Sequence, residues 1–255
     1  MPTDNRLKII VVIVIIATIA VFSMDPIAQD QGYHNFADRR GLLYISNFFN
    51  VLSNLPFVIV GIMGMRLVIS GQAVGGMAEL KSVYLAFFAG VFLTGFGSAY
   101  YHYDPTNLTL LWDRLPMTIA FMALFSAIVG EYISSRMALK LFIPLLLSGI
   151  FSVIYWYVTE LNSNGDLRAY LLVQFLPALL IPLILCLFDS KLNGDKYIWG
   201  IFGAYALSKI MELFDAPIYS QLGILSGHSL KHLIAAFGTL VFYWALRDRR
   251  ILPVH

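Results

Sequence analysis

Long apolar stretches separated by short polar connections run along the whole chain. A helix needs about 20 residues to cross a bilayer at a rise of about 1.5 Å per residue. Apolar runs of roughly this length lie near residues 7–24, 42–69, 82–103, 110–133, 138–158, 169–188, 196–214 and 227–246. The connections between these eight runs leave no room for a separate soluble domain. The pattern therefore predicts an all-α fold, a polytopic membrane helix bundle.

The first apolar run has features of both a signal peptide and a membrane anchor. Arg6 and Lys8 precede it, as a basic segment precedes the apolar part of a signal peptide. Residues 21–24 read VFSM and contain no small-x-small cleavage pattern. We therefore expect an N-terminal anchor helix that is not cleaved.

Composition agrees with a membrane protein and excludes other classes. Hydrophobic residues make up 59% of the chain and charged residues 13%, whereas soluble domains contain roughly 25% charged residues. The net charge of +2 is small and scattered, which argues against nucleic acid as a partner. Cys186 is the single cysteine, so neither an internal disulfide nor a cysteine metal site is available. Any metal must bind to His, Asp or Glu.

The basic residues predict the orientation in the membrane, because cytoplasmic loops are enriched in Lys and Arg. If the N-terminus is cytoplasmic, the opposite side receives Arg39, Arg40 and Arg168. The cytoplasmic ends of the spans then carry the larger set, which is Arg6, Lys8, Arg66, Lys81, Arg136, Lys140, Lys191, Lys196, Arg247, Arg249 and Arg250. Both termini are therefore predicted to be cytoplasmic. The same threading places the end of the third span and the starts of the fourth and eighth spans together at the non-cytoplasmic face.

Three histidines lie at that face with spacings that suit a metal site. The third span ends in GSAYYHYD, so Ser98 and His102 lie one helical turn apart on the same face. The eighth span begins with GHSLKHLIAA, and the four-residue step from His228 to His232 lets two imidazoles bind one ion. Three neutral histidine nitrogens with an open fourth position are the arrangement of catalytic zinc. The sequence predicts a zinc site formed by His102, His228 and His232.

Asp113 and Ser98 are the candidate catalytic partners of this site. Asp113 lies in the first turns of the fourth span, at about the depth of His102, where it can orient or deprotonate a water molecule. Ser98 can donate a hydrogen bond to a carbonyl or oxyanion. The alternative for Ser98, within GFGSA, is that a small residue lets helices pack closely. Any one histidine near a helix end is ordinarily interfacial, but ionisable groups grouped at one depth inside spans favour function. His34 has no partner at ligand spacing.

Charged residues also interrupt the seventh span. In SKIMELFDAP, Lys209, Glu212 and Asp215 are spaced i, i+3 and i+6 on roughly one helical face. One interpretation is an internal pair of Lys209 and Glu212 that lets the helix insert. The other is a polar shell beneath the metal or along a substrate path. Lys231 is expected to point away from the two neighbouring histidines and to snorkel or pair with an acid on another helix.

Taken together, Ser98-x3-His102, Asp113 and His228-x3-His232 resemble the signature of the alkaline ceramidase family. That family belongs to a seven-helix membrane hydrolase superfamily that includes the progestin and adiponectin receptors. The stretch ISNFFNVLSNLPF, with Asn50 and Asn54, is similar to the first core helix of the family. The resemblance implies a seven-helix core over residues 33–246, an N-terminal anchor helix and outer segment over 1–32, and a basic tail over 247–255.

The resemblance also implies a reaction. Ceramide from the bilayer would be hydrolysed at its amide bond to a fatty acid and a sphingoid base, with Zn²⁺ on the three histidines, water activated by Asp113 and an oxyanion stabilised by Ser98. Lys209, Glu212, Asp215, Asn50 and Asn54 would form a second shell or a substrate path.

The chain departs from the family upstream of the first core helix. Eukaryotic members have an acidic calcium-binding stretch there, whereas this chain reads YHNFADRRGLLYISN. Asp38 and Asn47 can supply oxygen ligands, but Ca²⁺ takes six to eight oxygens and Arg39 and Arg40 are adjacent. The sequence therefore does not favour a calcium site.

A second function from a different class remains open. The same fold can serve as a non-enzymatic receptor or sensor in which zinc is structural and ligand occupancy shifts the bundle. The fourth zinc position distinguishes the two, because a fourth protein ligand favours a structural ion. A transporter is disfavoured, since the chain shows no paired broken helices in two matching halves.

Overall fold

Ten α-helices make up most of residues 3–252, the part of the chain that the computed structural model describes. The α-helices are α1 (Thr3–Phe22), α2 (Phe48–Leu52), α3 (Leu55–Ile69), α4 (Lys81–Tyr103), α5 (Asn107–Ile128), α6 (Ser135–Leu161), α7 (Arg168–Leu187), α8 (Lys196–Leu213), α9 (Asp215–Leu222) and α10 (Gly227–Asp248). Short 3-10 turns cover Gln31–His34 and Ala78–Leu80, and a π-helical turn, Val129–Ile133, continues α5.

The helices have the lengths and compositions of a membrane bundle. Within the described residues, seven helical segments are long and apolar enough to span a bilayer. They correspond to seven of the eight predicted runs. The remaining run, the seventh at 196–214, is α8, which carries Lys196, Lys209 and Glu212 and is not among the seven helical segments. It nevertheless packs along α10 within the bundle, so the predicted all-α polytopic fold is confirmed.

The predicted span 42–69 differs from the structure at its start. Leu42 and Ile45 exchange backbone hydrogen bonds of 3.1 and 2.9 Å across a two-residue turn, and the helix begins only at Phe48. It is then interrupted before α3, where Pro56 occupies the first turn and has no amide proton to donate. Side chains satisfy the backbone at this break, because Ser53 Oγ and Asn54 Nδ2 both donate to the carbonyl oxygen of Asn50, at 2.9 and 2.8 Å.

Two glycines allow the close helix contacts that bring the chemically interesting residues together. Gly97 on α4 lies against α5, where a Cβ atom would collide with the backbone carbonyl of Trp112. Gly227 begins α10 against the joint between α8 and α9, where a Cβ atom would lie 2.8 Å from the Cα atom of Asp215. The end of α4 and the starts of α5 and α10 therefore meet at one end of the bundle, called here the histidine end.

Candidate metal centre

Three buried histidines converge at the histidine end. His102 lies in the last turn of α4, and His228 and His232 lie in the first two turns of α10. One ring nitrogen from each lies within 4.8 Å of the other two. The Nε2 atoms of His102 and His228 are 2.7 Å apart. The three side chains can therefore hold a metal ion.

Neighbouring groups orient two of the rings toward a common point. His102 Nδ1 donates to the carbonyl oxygen of Ser98 at 2.7 Å. His232 Nδ1 lies 2.8 Å from Ser53 Oγ, which itself donates to the carbonyl oxygen of Asn50 and so accepts from the ring. Each bond places the proton on Nδ1 and leaves Nε2 with a free lone pair for an ion. This is how a metal-binding histidine is usually oriented.

The side chain of Asp215, at the start of α9, fixes the start of α10. Asp215 Oδ1 accepts from the backbone amide of His228 at 2.7 Å, and its Oδ2 accepts from the amide of Ala37 at 2.9 Å. A carboxylate at a helix N-terminus is also favoured by the helix dipole. The predicted grouping of Asp215 with Lys209 and Glu212 on one helical face is wrong, because α8 ends at Leu213 and Asp215 begins α9.

The two asparagines singled out in the sequence support the site from α2 and the break that follows it. Asn50 is fully buried, accepts from the hydroxyl of Ser229 at 2.7 Å and donates to the carbonyl of Asp38 at 3.1 Å. Asn54 donates to the carbonyl of Asn50. Asn47 donates to the carbonyl of His102 at 2.9 Å, so its side chain faces the histidine end.

The aromatic ring of Phe36 covers the histidines, which the sequence did not indicate. Its centroid lies 4.8 Å from the ring of His102, nearly parallel to it, and 4.6 Å from that of His228. Only 4% of Phe36 is exposed. The residue sits in an irregular segment with no helical periodicity, so no spacing rule could have placed it there. It excludes water from one side of the cluster.

A largely apolar cavity of about 460 Å³ reaches the histidines from within the bundle. Ser98, Asp113 and His232 line its polar end, and Asp113 Oδ1 is buried without a hydrogen-bond partner among the described residues. The remaining wall is mostly aliphatic and aromatic, and includes Phe87, Val91, Leu124, Ile128, Ile181 and Ile198. The volume lies within the range of about 300–1,000 Å³ typical of ligand pockets.

The charged residues of α8 and α10 form a network on the same cavity wall. Glu212 accepts from Lys209 at 2.8 Å, from Lys231 through a short contact, and from the Tyr33 hydroxyl at 3.3 Å. Lys231 thus pairs with an acid on another helix, as predicted. The internal pair of Lys209 and Glu212 is present, and all three charged side chains also line the cavity. The first interpretation is therefore confirmed, and a role along a substrate path stays a prediction.

The remaining candidates lie outside the cluster. His34 bonds to the Tyr101 hydroxyl at 2.9 Å and to Asn107 at 3.0 Å. The carboxylate of Asp38 pairs with Arg40 at 2.8 Å. Burial raises the pKa of Asp38, but the hydrogen bonds and charge of Arg40 outweigh it and hold that pKa below its ordinary value. A carboxylate already bound to Arg40 is a poor starting point for a calcium site.

Comparison with known families gives one match. A family model described as Ceramidase matches residues 41–193, which is more than half of the chain. The matched range contains Ser98, His102 and Asp113 and ends before His228 and His232. A comparison with curated proteins gives no match.

Proposed function

This chain belongs to the ceramidase family, and from that premise we propose that it is a zinc-dependent membrane hydrolase that cleaves the amide bond of a ceramide-like N-acyl lipid to a fatty acid and a sphingoid-type amine. One observation carries the proposal. Three buried imidazoles can share an ion, and one of them, His232, lines an apolar cavity together with Asp113, whose Oδ1 has no hydrogen-bond partner among the described residues.

The donor set fits zinc in a catalytic site. Imidazole nitrogen is a preferred zinc ligand, and catalytic sites keep one of four positions open. Within the described residues, no further His, Cys, Asp or Glu joins the three histidines. A fourth protein ligand would instead have supported the alternative, a receptor or sensor with a structural ion, and no observation favours that function.

The residues around the histidines can supply the steps of amide hydrolysis. A zinc ion, when bound, supplies Lewis acidity that acidifies water and polarises a carbonyl. Asp113 accepts a proton from the attacking water as its oxygen bonds to the carbonyl carbon, and Ser98 donates a hydrogen bond to the carbonyl oxygen as charge develops there. The C–N bond then breaks, and the proton passes from Asp113 to the leaving nitrogen. The products are a fatty acid and an amine.

The environment of the site suits a lipid substrate. The aliphatic and aromatic wall of the cavity matches an acyl chain, and burial of that chain would provide binding energy through the hydrophobic effect. Phe36 covers the histidines from the other side, which keeps the reacting groups away from bulk water. The polar network of Lys209, Glu212 and Lys231 would contact the more polar part of the lipid.

The test is hydrolysis of ceramide by the purified full-length protein in detergent, with and without a chelator and with zinc added back. We expect chelation to abolish product formation and zinc to restore it. The Asp113→Asn variant should retain its metal yet turn over about 10²–10⁴-fold more slowly, as expected for loss of a general base. Full activity in that variant would remove Asp113 from the mechanism, and no hydrolysis of any N-acyl lipid would reject the proposed activity.

We also propose that both termini are cytoplasmic and that the histidine end faces the opposite side. The distribution of Lys and Arg supports this orientation. In a Cys186→Ser background, an impermeant maleimide should label Asn164→Cys in intact cells. It should label Gln72→Cys, in the connection after α3, only after permeabilisation. The reverse pattern would invert the topology.

A further inference from the structure

Arg114 follows Asp113 on α5 and lines the same cavity, but the proposed hydrolysis gives it no role. Its side chain is buried, with 6% of the residue exposed. The guanidinium lies 4.2 Å from the ring centre of Trp156, 4.7 Å from that of Tyr170 and 5.8 Å from that of Tyr33. Aromatic faces attract a cation, so the three rings hold this charge in place.

The charge of Arg114 has no counter-ion among the described residues. Its Nη2 donates to the side-chain oxygen of Gln29 at 2.7 Å, whereas Nη1 is buried without a hydrogen-bond partner. Asp113 does not pair with it, because successive residues on a helix point in different directions. A buried ion that lacks a partner is costly, so this arrangement calls for a partner that the described residues do not provide.

Three other arginines of the described chain pair with carboxylates. Arg249 forms two 2.8 Å hydrogen bonds with Glu131, and Arg168 and Arg40 pair with Asp166 and Asp38. Each satisfies its fork with a carboxylate. Arg114 presents the same planar donor set to a cavity.

The neighbouring charges do not neutralise Arg114. Glu212 lies between Lys209 and Lys231 and is bonded to both. Asp30 also lines the cavity, but it is exposed and its carboxylate accepts from the backbone amide of Gly32 at 2.8 Å. An acidic group on a ligand would therefore find an unpaired cation at Arg114.

We propose that Arg114 recognises an anionic oxygen group, a carboxylate or a phosphate, on the amine side of the lipid. The inference rests on the proposed function and adds to it a preference, among N-acyl lipids, for an acidic head over a neutral one. Guanidinium binds both groups through paired hydrogen bonds. Because Asp113 and Arg114 are adjacent on α5 and both line the cavity, an anionic group bound to Arg114 would share that cavity with the scissile amide.

Binding to the full-length, zinc-loaded protein tests this without relying on turnover. N-oleoylserine and N-oleoylserinol differ only in a carboxylate that replaces a hydroxymethyl group, and the Asp113→Asn background keeps both intact. We expect N-oleoylserine to bind at least about tenfold more tightly, as a charge-assisted pair would allow. Arg114→Gln should remove that preference and leave the affinity for N-oleoylserinol within about twofold. Comparing the affinities for N-oleoyl-phosphoethanolamine and N-oleoylethanolamine tests whether a phosphate is preferred in the same way.

Several outcomes would overturn the inference. One is equal affinity for the acidic and neutral lipids of both pairs in the Asp113→Asn protein with Arg114 intact. Another is an equal loss for acidic and neutral lipids in Arg114→Gln, which would indicate a merely structural role. A third is an equal dependence on Arg114 for the binding of free oleate and of N-oleoylserine. Arg114 would then bind the carboxylate of the fatty acid product.

Two controls keep the result interpretable. Thermal unfolding in detergent shows whether Arg114→Gln folds, and if it does not, Arg114→Lys carries the test. Lysine keeps the charge but loses the planar fork, so the preference for the acidic lipid should shrink while binding of the neutral lipid persists. Binding of the acidic lipid through Arg114 in a protein that cleaves no N-acyl lipid would reject the hydrolase and keep the inference. Cleavage of neutral ceramide, without tighter binding of the acidic lipids, would support the hydrolase and reject the inference.

Discussion

The two ends of the bundle differ in whether all of their buried polar side-chain atoms have hydrogen-bond partners. At the end away from the histidines, Glu131 accepts two hydrogen bonds of 2.8 Å from Arg249 and one of 2.7 Å from the Tyr84 hydroxyl. Near the histidines, Asn54 Oδ1, Asp113 Oδ1 and Arg114 Nη1 are buried without partners. Unpaired polar groups are costly in a protein interior, so pairing marks a structural contact and its absence marks a place where a ligand can bind.

Three of the five unpaired buried side-chain atoms among the described residues belong to residues that line the cavity, which are Asp113, Arg114 and Tyr205. The other two atoms are Asn54 Oδ1 and Trp156 Nε1. Trp156 stacks on Arg114. The end held by Glu131 and Arg249 contributes none of them. The comparison thus separates a pair that stabilises the fold from a site kept available for binding.

The largest effect is expected from His232→Ala. Loss of one of three imidazoles should remove most of the bound zinc and nearly all hydrolysis, because three protein ligands are the usual minimum of a catalytic zinc site. Metal analysis of the purified protein measures this directly. His34→Ala is the matched control, since His34 bonds to Tyr101 and Asn107 outside the cluster and its loss should spare the metal. Unchanged zinc in His232→Ala would refute the ligand assignment.

Breaking the pair at the opposite end should affect stability instead of metal binding. Glu131→Gln leaves the buried guanidinium of Arg249 without its carboxylate and should destabilise the fold by about 3–5 kcal/mol. The folded fraction should keep its zinc. Thermal unfolding in detergent measures the loss, with Glu79→Gln as the control because Glu79 is exposed and forms no salt bridge in the described structure. Loss of zinc without loss of stability would contradict the division between the two ends.

The sequence predicted the histidine cluster because regular helical spacing and the alternation of the spans place its three members. Two ligands one turn apart on α10 and a third at the end of α4 follow helical spacing, and the orientation rule brought those ends together. The helix break at Ser53 and Asn54 was not predicted, because the apolar run continues through it and membrane helices often contain proline. Helix α9 was also missed, since the seventh run was read only as far as residue 214.

Contacts between residues far apart in the chain were beyond sequence reasoning for a different reason. Glu131 and Arg249 are 118 positions apart, and Gln29 and Arg114 are 85 apart. No periodicity links such residues, so a single sequence cannot indicate which charge is paired. Arg249 was read as part of a basic tail, whereas α10 extends to Asp248 and Arg249 is 1% exposed.

The smallest effect concerns a paired cluster between the end of α6 and the start of α7, whose residues Asp166 and Arg168 do not line the cavity. Asp166 accepts from Arg168 through both oxygens and from the Tyr155 hydroxyl, and Arg168 also donates to the carbonyl of Met24 after α1. The hydrogen bonds from Arg168, against the opposing effect of burial, lower the pKa of Asp166 from 3.8 to about 2. The pairing therefore joins the segment after the anchor helix to the bundle.

A lowered pKa in the folded state fixes the sign of the pH dependence. The carboxylate stabilises the fold above pH 3.8, and this contribution should disappear as the pH falls from about 4 through about 2. Allowing for solvent screening, its size should be about 1–2 kcal/mol. Unfolding temperatures across this range should fall less steeply for Asp166→Asn than for the natural protein, while Asp189→Asn, at an exposed position, should match the natural protein. Parallel curves for all three would show that the pairing of Asp166 with Arg168 contributes nothing measurable to stability, and that burial of a paired carboxylate does not by itself mark a stabilising contact.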